Sequence, residues 1–378
     1  MSTAVAPPEQ AAPPAAAINY RSLGLQALAL AAVVLLGAWM VHNAAVNLGA
    51  RNIAAGFGFL KDSAGFAIAE GPVHYEPSDS YGRAFLAGFA NTLRAAFPAV
   101  ALATVLGFAL GIAQLSRHAL VRGLSRTYVD IVRNVPLLVQ LLLWYFALTE
   151  LLPGSDAPVH LGQAVFLSKG GAAFPAPEMS TGQTLVVLAL TVALPVLAWR
   201  VKRWRAAAQA AAWLAVAAMW VLVPEAWERP EQGVFGVSGG LALSPEWLAL
   251  VMALSQYSGA YCAEIVRAGL LAVPRGQWEA AHALGLTRWQ TLRRLIVPQG
   301  LRVIVPPYTS LVMNTIKNSS LAIAVGYPDI VYIATTSLNQ NGQAIECIAV
   351  IAAVYLALNL LTAVVMGFVN VRVQIKER

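Results

Sequence analysis

The chain has 378 residues, of which 58% are hydrophobic and only 11% charged, with a formal net charge of +7. A soluble globular domain carries about 25% charged residues, so this sequence lacks the polar surface that water requires, and a bilayer is its expected solvent. The two cysteines, Cys262 and Cys347, lie in apolar stretches without a Cys or His partner at short spacing, which excludes a metal framework and leaves buried thiols.

The first 24 residues, beginning "MSTAVAPPEQAAPPAAA", predict a disordered tail rich in alanine and proline. No basic start precedes the apolar run that follows, and the run is too long for a signal-peptide core, so it reads as a retained span. Eight windows have the about 20 mostly apolar residues that a crossing needs. They are 25–44, 85–115, 128–151, 183–199, 207–224, 244–270, 301–325 and 345–369. Alternate connecting segments hold about sixteen Lys and Arg against five, with groups at Arg117, Arg122 and Arg126 and at Arg200, Lys202, Arg203 and Arg205. The positive-inside rule places the richer set, and both termini, in the cytoplasm. Connectors 45–84 and 152–182, rich in Gly, Pro and Ser, read as short outer caps or loose connectors without evident chemistry.

Between the sixth and seventh windows lies "QWEAAHALGLTRWQTLRRLIVPQG". It predicts a helix from about Pro274 to Leu284, closed by Gly285. A second helix opens with a Thr287/Gln290 capping box, presents Trp289, Leu292 and Ile296 as an apolar stripe, and stops at Pro298. Arg288, Arg293 and Arg294 occupy its other side. Two uses suit such an arm: rest on anionic headgroups, or docking of a cytoplasmic partner. The small, flat Glu279-Ala280-Ala281 segment favours docking, because it permits close helix approach.

These residues resemble the EAA loop of bacterial ABC importer permeases, E-A-A-x3-G-x9-I-x-L-P, with Glu279, Ala280, Ala281, Gly285 and Pro298 in register and Leu295 and Val297 as conservative departures. "SGAYCAEIVRAGLLAVPRGQWEAAHALGL", "RNVPLLVQLLLWYF" and "PPYTSLVMNTIKNSSLAIAVG" are similar to the polar-amino-acid uptake branch of that family, as is the span opening "FLAGFANTLRAAF". The similarity covers about 84–152 and 244–370. An extra first span with its outer loop (25–84) and an insert at 153–243 with two more spans give a layout like the long permease of general L-amino-acid importers, carriers of glutamate, glutamine and aspartate among them.

The resemblance implies an all-α membrane protein of about eight transmembrane helices, a type I ABC importer transmembrane domain over 85–370 with a coupling loop at 271–300. It implies an inner-membrane subunit that moves L-amino acids and performs no covalent catalysis. Its partners would be an ATPase that uses ATP and Mg2+, a second related permease making a heterodimer, and a periplasmic amino-acid-binding protein, with lipid around them and no nucleic acid. Glu279 would contact the ATPase and Gly285 permit the bend. The chain itself has no G-x-x-x-x-G-K-[ST] phosphate loop, so it is expected to bind no cofactor or metal and to borrow its energy.

Ionisable groups within spans are costly and seldom face lipid. Arg94, Arg133 and Arg267 lie near span ends and can snorkel. Lys317 lies deeper, in "MNTIKNSS", with Asn314 one turn before it and Asn318, Ser319 and Ser320 after it. Pro306 and Pro307 are expected to break the same helix, as in the discontinuous helices of transporters. Glu264 is the candidate counter-ion and Tyr257 a neighbour. The set reads either as a buried Lys–Glu lock or as a substrate pathway in which Lys317 meets a carboxylate and Glu264 an ammonium. Two rival functions have sequence support. An ion-coupled secondary transporter or channel would explain the spans and Lys317 but leave the arm idle. "GVSGG" around Ser238 has the serine motif of an intramembrane protease, but no histidine lies deep in a span to serve it.

Overall fold

The computed structural model describes residues 20–50, 56–162, 164–201, 205–233 and 236–374. Most of the predicted tail, and Lys202 and Arg203 of the basic segment, lie outside the described residues. The tail ends earlier than expected, because Tyr20–Ala50 is already one continuous helix, α1.

Helix α2 (Tyr81–Ala113) and helix α7 (Pro245–Leu271) form the centre of the molecule. The face α2 turns to α7 carries Ala95, Ala99, Ala103, Gly107 and Gly111, small residues spaced by four and all buried. Such a stripe lets two backbones approach closely, which is how helices gain contact in lipid, where burial of apolar surface offers no advantage. A Cβ on Gly107 would lie 2.3 Å from the Cys262 Cβ, and one on Gly111 would lie 2.8 Å from the Ala263 carbonyl oxygen. Both positions therefore admit glycine alone.

The window expected at 128–151 is two helices, α3 (Ala119–Asn134) and α4 (Leu137–Glu150), bent by 102°. Pro136 forces the break, because a residue before proline is pushed out of the helical region, and Val135 is extended at φ −92° and ψ 127°. The Gln140 amide secures the corner by donating to the Val132 and Val135 carbonyls at 2.8 and 2.9 Å. At about 1.5 Å per residue, α4 alone spans only about 21 Å.

The insert contains more than two helices. Helices α5 (Thr181–Ala198) and α6 (Arg205–Leu222) pack on each other as a hairpin. The segment 152–182, expected to be a short cap or loose connector, and the Gly-rich segment after the hairpin are both folded into short strands. These are β1 (Val159–Leu161), β2 (Val165–Ser168), β3 (Gly171–Phe174) and β4 (Ala176–Glu178) before the hairpin, and β5 (Ala226–Glu228), β6 (Glu231–Gly233), β7 (Gly236–Ser238) and β8 (Leu241–Leu243) after it. The order β1-β2-β3-β8 is antiparallel, with Ala172 opposite Leu243, so the two ends of the insert close on each other just before α7. Ser238, the nucleophile of the protease reading, is an exposed residue at the end of β7.

After α7 come α8 (Arg275–Ala283), α9 (Arg288–Thr291), α10 (Val297–Asn318), α11 (Ile330–Asn341) and α12 (Ala344–Val373). Each of the eight apolar windows lies mainly in helix, the third of them broken at Val135 and Pro136. Among the described residues, α2 and α12 are long and apolar enough to cross unaided, and up to four crossings result if each of two bent pairs counts as one. Helices α5 and α6 have 18 residues each, or about 27 Å against a hydrocarbon core of about 30 Å. Helix α7 mixes its apolar residues with Gln256, Glu264 and Arg267.

Replacing Gly107 by leucine is expected to force α2 from α7 and lower stability by about 1–3 kcal/mol or more, the usual cost of overpacking. Thermal unfolding of the purified protein in mild detergent measures it. The same change at Gly123, whose Cβ would meet nothing within 4 Å, is the control that should leave the transition in place.

Candidate functional site

Three regions carry the polar chemistry: an arm at one end of the bundle, polar faces on α7 and α10, and a cluster at the other end.

The arm forms much as its residues dictate. Pro274 precedes α8, and Gly285 closes it at φ +69°, a left-handed conformation that a side chain adopts only with strain. The Gly285 and Leu286 amides donate to the His282 and Ala281 carbonyls at 2.9 and 3.1 Å. Thr287 and Gln290 make the reciprocal capping box, at 2.9 and 3.3 Å. Glu279 and Ala280 are exposed, whereas Ala281 is wholly buried and seats the helix against the bundle. Trp278 packs in one cluster with Leu270, Val273 and Ile296.

Pro298 does not stop the second helix. A wide π turn over Leu292–Ile296 runs directly into α10, where Pro298 occupies the first turn. A proline inside a helix crowds the carbonyl of the preceding turn, and the wider π turn just before Pro298 relieves that crowding. Pro306 and Pro307 do not break α10 either, which continues through both. The discontinuity comes later. A 3-10 segment, Ser319–Val325, ends at Gly326 with φ +80°, and α11 then leaves at 52° to the helix before it. From the first residue of α9 to Asn318 the backbone is thus one uninterrupted helix.

The expected pairing of Glu264 with Lys317 does not occur. Glu264 and Arg267 lie three apart on α7 and form a fork, with Nε to Oε1 at 3.1 Å and a second nitrogen to Oε2 at 2.8 Å. Arg133, reaching in from α3, lies 3.8 Å from the same Oε2 and 5.0 Å from the Tyr261 ring. Tyr257 lies one turn above, with its hydroxyl 3.5 Å from that of Tyr261 and the ring centroids 4.9 Å apart. Arg133 and Arg267, expected to snorkel, are therefore the ion partners of Glu264. The three-residue spacing of Glu264 and Arg267 is a readable signal for one of them; nothing local announces Arg133, which is brought near by the Pro136 corner.

Lys317 and Asn314 are exposed on one face of α10, in line with Ser310, and Lys317 has no hydrogen bond or ion pair among the described residues. Asn318 is half-buried. Ser319 is buried and committed, donating to the Ile316 carbonyl at 2.7 Å. The opposite side of α10 is fixed to the core by Thr315 on Ser258 at 2.8 Å and by Tyr308 against Thr104 at 2.5 Å.

A third cluster closes the other end of the bundle. Arg94, expected to snorkel, instead meets Glu70 at 2.7 Å and lies 5.7 Å from the Trp247 ring. The other Glu70 oxygen accepts from the Ser244 hydroxyl. The Asn91 amide donates to the Glu70 and Pro328 carbonyls at 2.8 and 3.0 Å, so the loop before α2 is tied to α2, α7 and the turn before α11.

Residues 103–375 match the family described as the binding-protein-dependent transport system inner membrane component, and the chain belongs to that family. It is 42% identical over 376 residues to YhdX of Escherichia coli (strain K12), which bears the name of an amino-acid ABC transporter permease, covering 95% of this chain and 96% of that one. It is 40% identical over 376 residues to the general L-amino acid transport system permease protein AapQ of Rhizobium johnstonii, covering 95% and 94%. With the glutamate/glutamine/aspartate/asparagine transport system permease protein BztB of Rhodobacter capsulatus it shares 32% over 405 residues, covering 95% of each. These full-length matches include the extra first span and the insert. The chain is a permease subunit of the type I ABC importer class, and an ion-coupled secondary carrier finds no support in them.

Replacing Glu264 by alanine leaves Arg133 and Arg267 without their carboxylate. It is expected to cost about 1 kcal/mol, a modest figure because the pairs are partly solvated. Lys317→Met breaks no described contact and should leave the unfolding transition unchanged, whereas equal losses in the two variants would restore the Lys317–Glu264 pair.

Proposed function

We propose that this chain forms half of a translocation pathway that moves L-amino acids from periplasm to cytoplasm, driven by a separate ATPase that binds ATP and Mg2+. The observation that carries this reading is the exposed Glu279–Ala280 edge of α8, a short helix set between the end of α7 and the left-handed Gly285 that leads into the continuous α9–α10 helix. The ATPase seats on that edge, and Ala281 and Pro298 hold the arm to the bundle. A second, related permease supplies the other half of the pathway, because an extra helix and an insert on this chain suit a non-identical partner. Both termini lie in the cytoplasm. The amino-acid class follows from the names of the full-length relatives, and the soluble binding protein from that of the family.

Within the bundle, the exposed Asn314–Lys317 face of α10 offers an ammonium to a substrate carboxylate, and Asn318 extends it. Glu264, with Tyr257 above it, lines the neighbouring helix. Its carboxylate already faces two guanidiniums, so meeting the substrate's ammonium requires it to give up one of them.

Two variants test the reading in cells that hold the whole transporter. Glu279→Lys should co-purify with little ATPase, or with ATPase that substrate-loaded binding protein no longer stimulates. Lys317→Met should assemble normally and lose at least about tenfold in amino-acid uptake, the effect of removing one charge-assisted contact of about 1.5–3 kcal/mol. Wild-type uptake in Lys317→Met would remove that residue from the pathway, and uptake persisting after ATP depletion would remove the ATPase.

A further inference from the structure

A cavity of about 1020 Å3 lies where the ends of α2 and α7 meet the arm. Its floor is apolar, built from Leu270, Val273, Leu292 and Ile296. Its rim is cationic. Arg117, Arg275, Arg288 and Arg293 all line it, and no Asp or Glu does. None of these four guanidiniums has a hydrogen bond or ion pair among the described residues. Arg94 is engaged with Glu70, and Arg133 and Arg267 with Glu264, whereas Arg126 and Arg294 are exposed like the four at the rim but do not line the cavity. Four free guanidiniums around an apolar hollow differ from an ordinary solvated basic face, which has no recess of this size beneath it.

We propose that this cavity binds an anionic phospholipid. Guanidinium groups hold phosphate oxygens through paired, charge-assisted hydrogen bonds. The floor is continuous with side chains on the outside of the bundle, since Ile112 and Leu271, 52% and 58% exposed, also line the cavity. Acyl chains would follow that surface while the headgroup remains at the rim. Trp278 and Trp289 complete the lining, and an amphipathic indole suits the boundary between headgroup and hydrocarbon. A docked ATPase is the other occupant to weigh. Against it, Glu279 and Ala280 do not line the cavity, and its apolar lining runs out onto Ile112 and Leu271 on the outside of the bundle. The lipid would bridge the arm to the ends of α2 and α7, so its occupancy governs how freely the arm moves. The lipid site stands whether or not the amino-acid reading holds.

The test uses the full chain in phosphatidylcholine vesicles doped with brominated-acyl phosphatidylglycerol or, at equal fraction, brominated-acyl phosphatidylcholine. Trp289→Phe identifies the share of tryptophan fluorescence that comes from the cavity. That share should be quenched about tenfold more effectively by the anionic lipid, as expected for a site with several basic groups at a membrane surface. Arg288→Gln with Arg293→Gln should abolish the preference, with helical circular dichroism unchanged to show that the fold survives. Equal quenching by the two lipids, or a preference that persists in the double variant, would overturn the proposal. Displacement by free glycerol phosphate would assign the site to soluble phosphate instead. Loss of the preference when the ATPase is added would assign the cavity to a protein.

Discussion

The structure depends on how closely α2 and α7 approach. In lipid, two helices gain nothing by hiding apolar surface, so they hold together through dense contact, and dense contact needs small side chains at the seam. The Ala95–Gly111 stripe on α2 supplies them, answered on α7 by Ser255, Gly259 and Ala263. Other elements are positioned from this pair. Thr315 and Tyr308 attach α10 to it, and Glu70 and Arg94 tie the outer loop across its end. Arg133 joins α3 to it through Glu264. Because the seam is incompressible, movement in this subunit has to occur at its margins.

Those margins are built to transmit. After α8 the arm turns at a left-handed glycine and continues through a π turn into α10 without a backbone break. A displacement of α8 therefore reaches a rod that carries Asn314 and Lys317 on its far turns. The π turn gives that rod a wider, looser segment close to the arm, and such turns recur at functional positions. The discontinuity lies beyond Lys317, at Ser319–Val325, so the polar face sits at the distal end of the rod.

Much of this was legible in the residues. The eight helical windows, the Gly285 cap, the Thr287/Gln290 capping box and the family all followed from local pattern, because caps and apolar runs are short-range signals. What depended on long-range geometry was not legible. Glu264 chose Arg133, more than a hundred residues away, over Lys317. A proline was expected to end a helix at Pro298 and break one at Pro306 and Pro307, but the neighbouring π turn and the packing of α10 accommodate all three. At Pro136 the opposite error occurred: an apolar run was read as continuous, and the extended Val135 splits it. The strands of the insert were missed because segments of three or four residues, rich in Gly and Pro, carry too little alternation to be recognised.

The most direct test of the account is whether the arm moves relative to the seam when the partner ATPase turns over. Spin labels at His282 on α8 and at Leu102 on α2, both exposed, report that distance in the assembled transporter. The account predicts a change of several ångströms between the nucleotide-free state and the vanadate-trapped state, abolished by Glu279→Lys. An identical distance distribution in both states, in a complex that still transports, would contradict it.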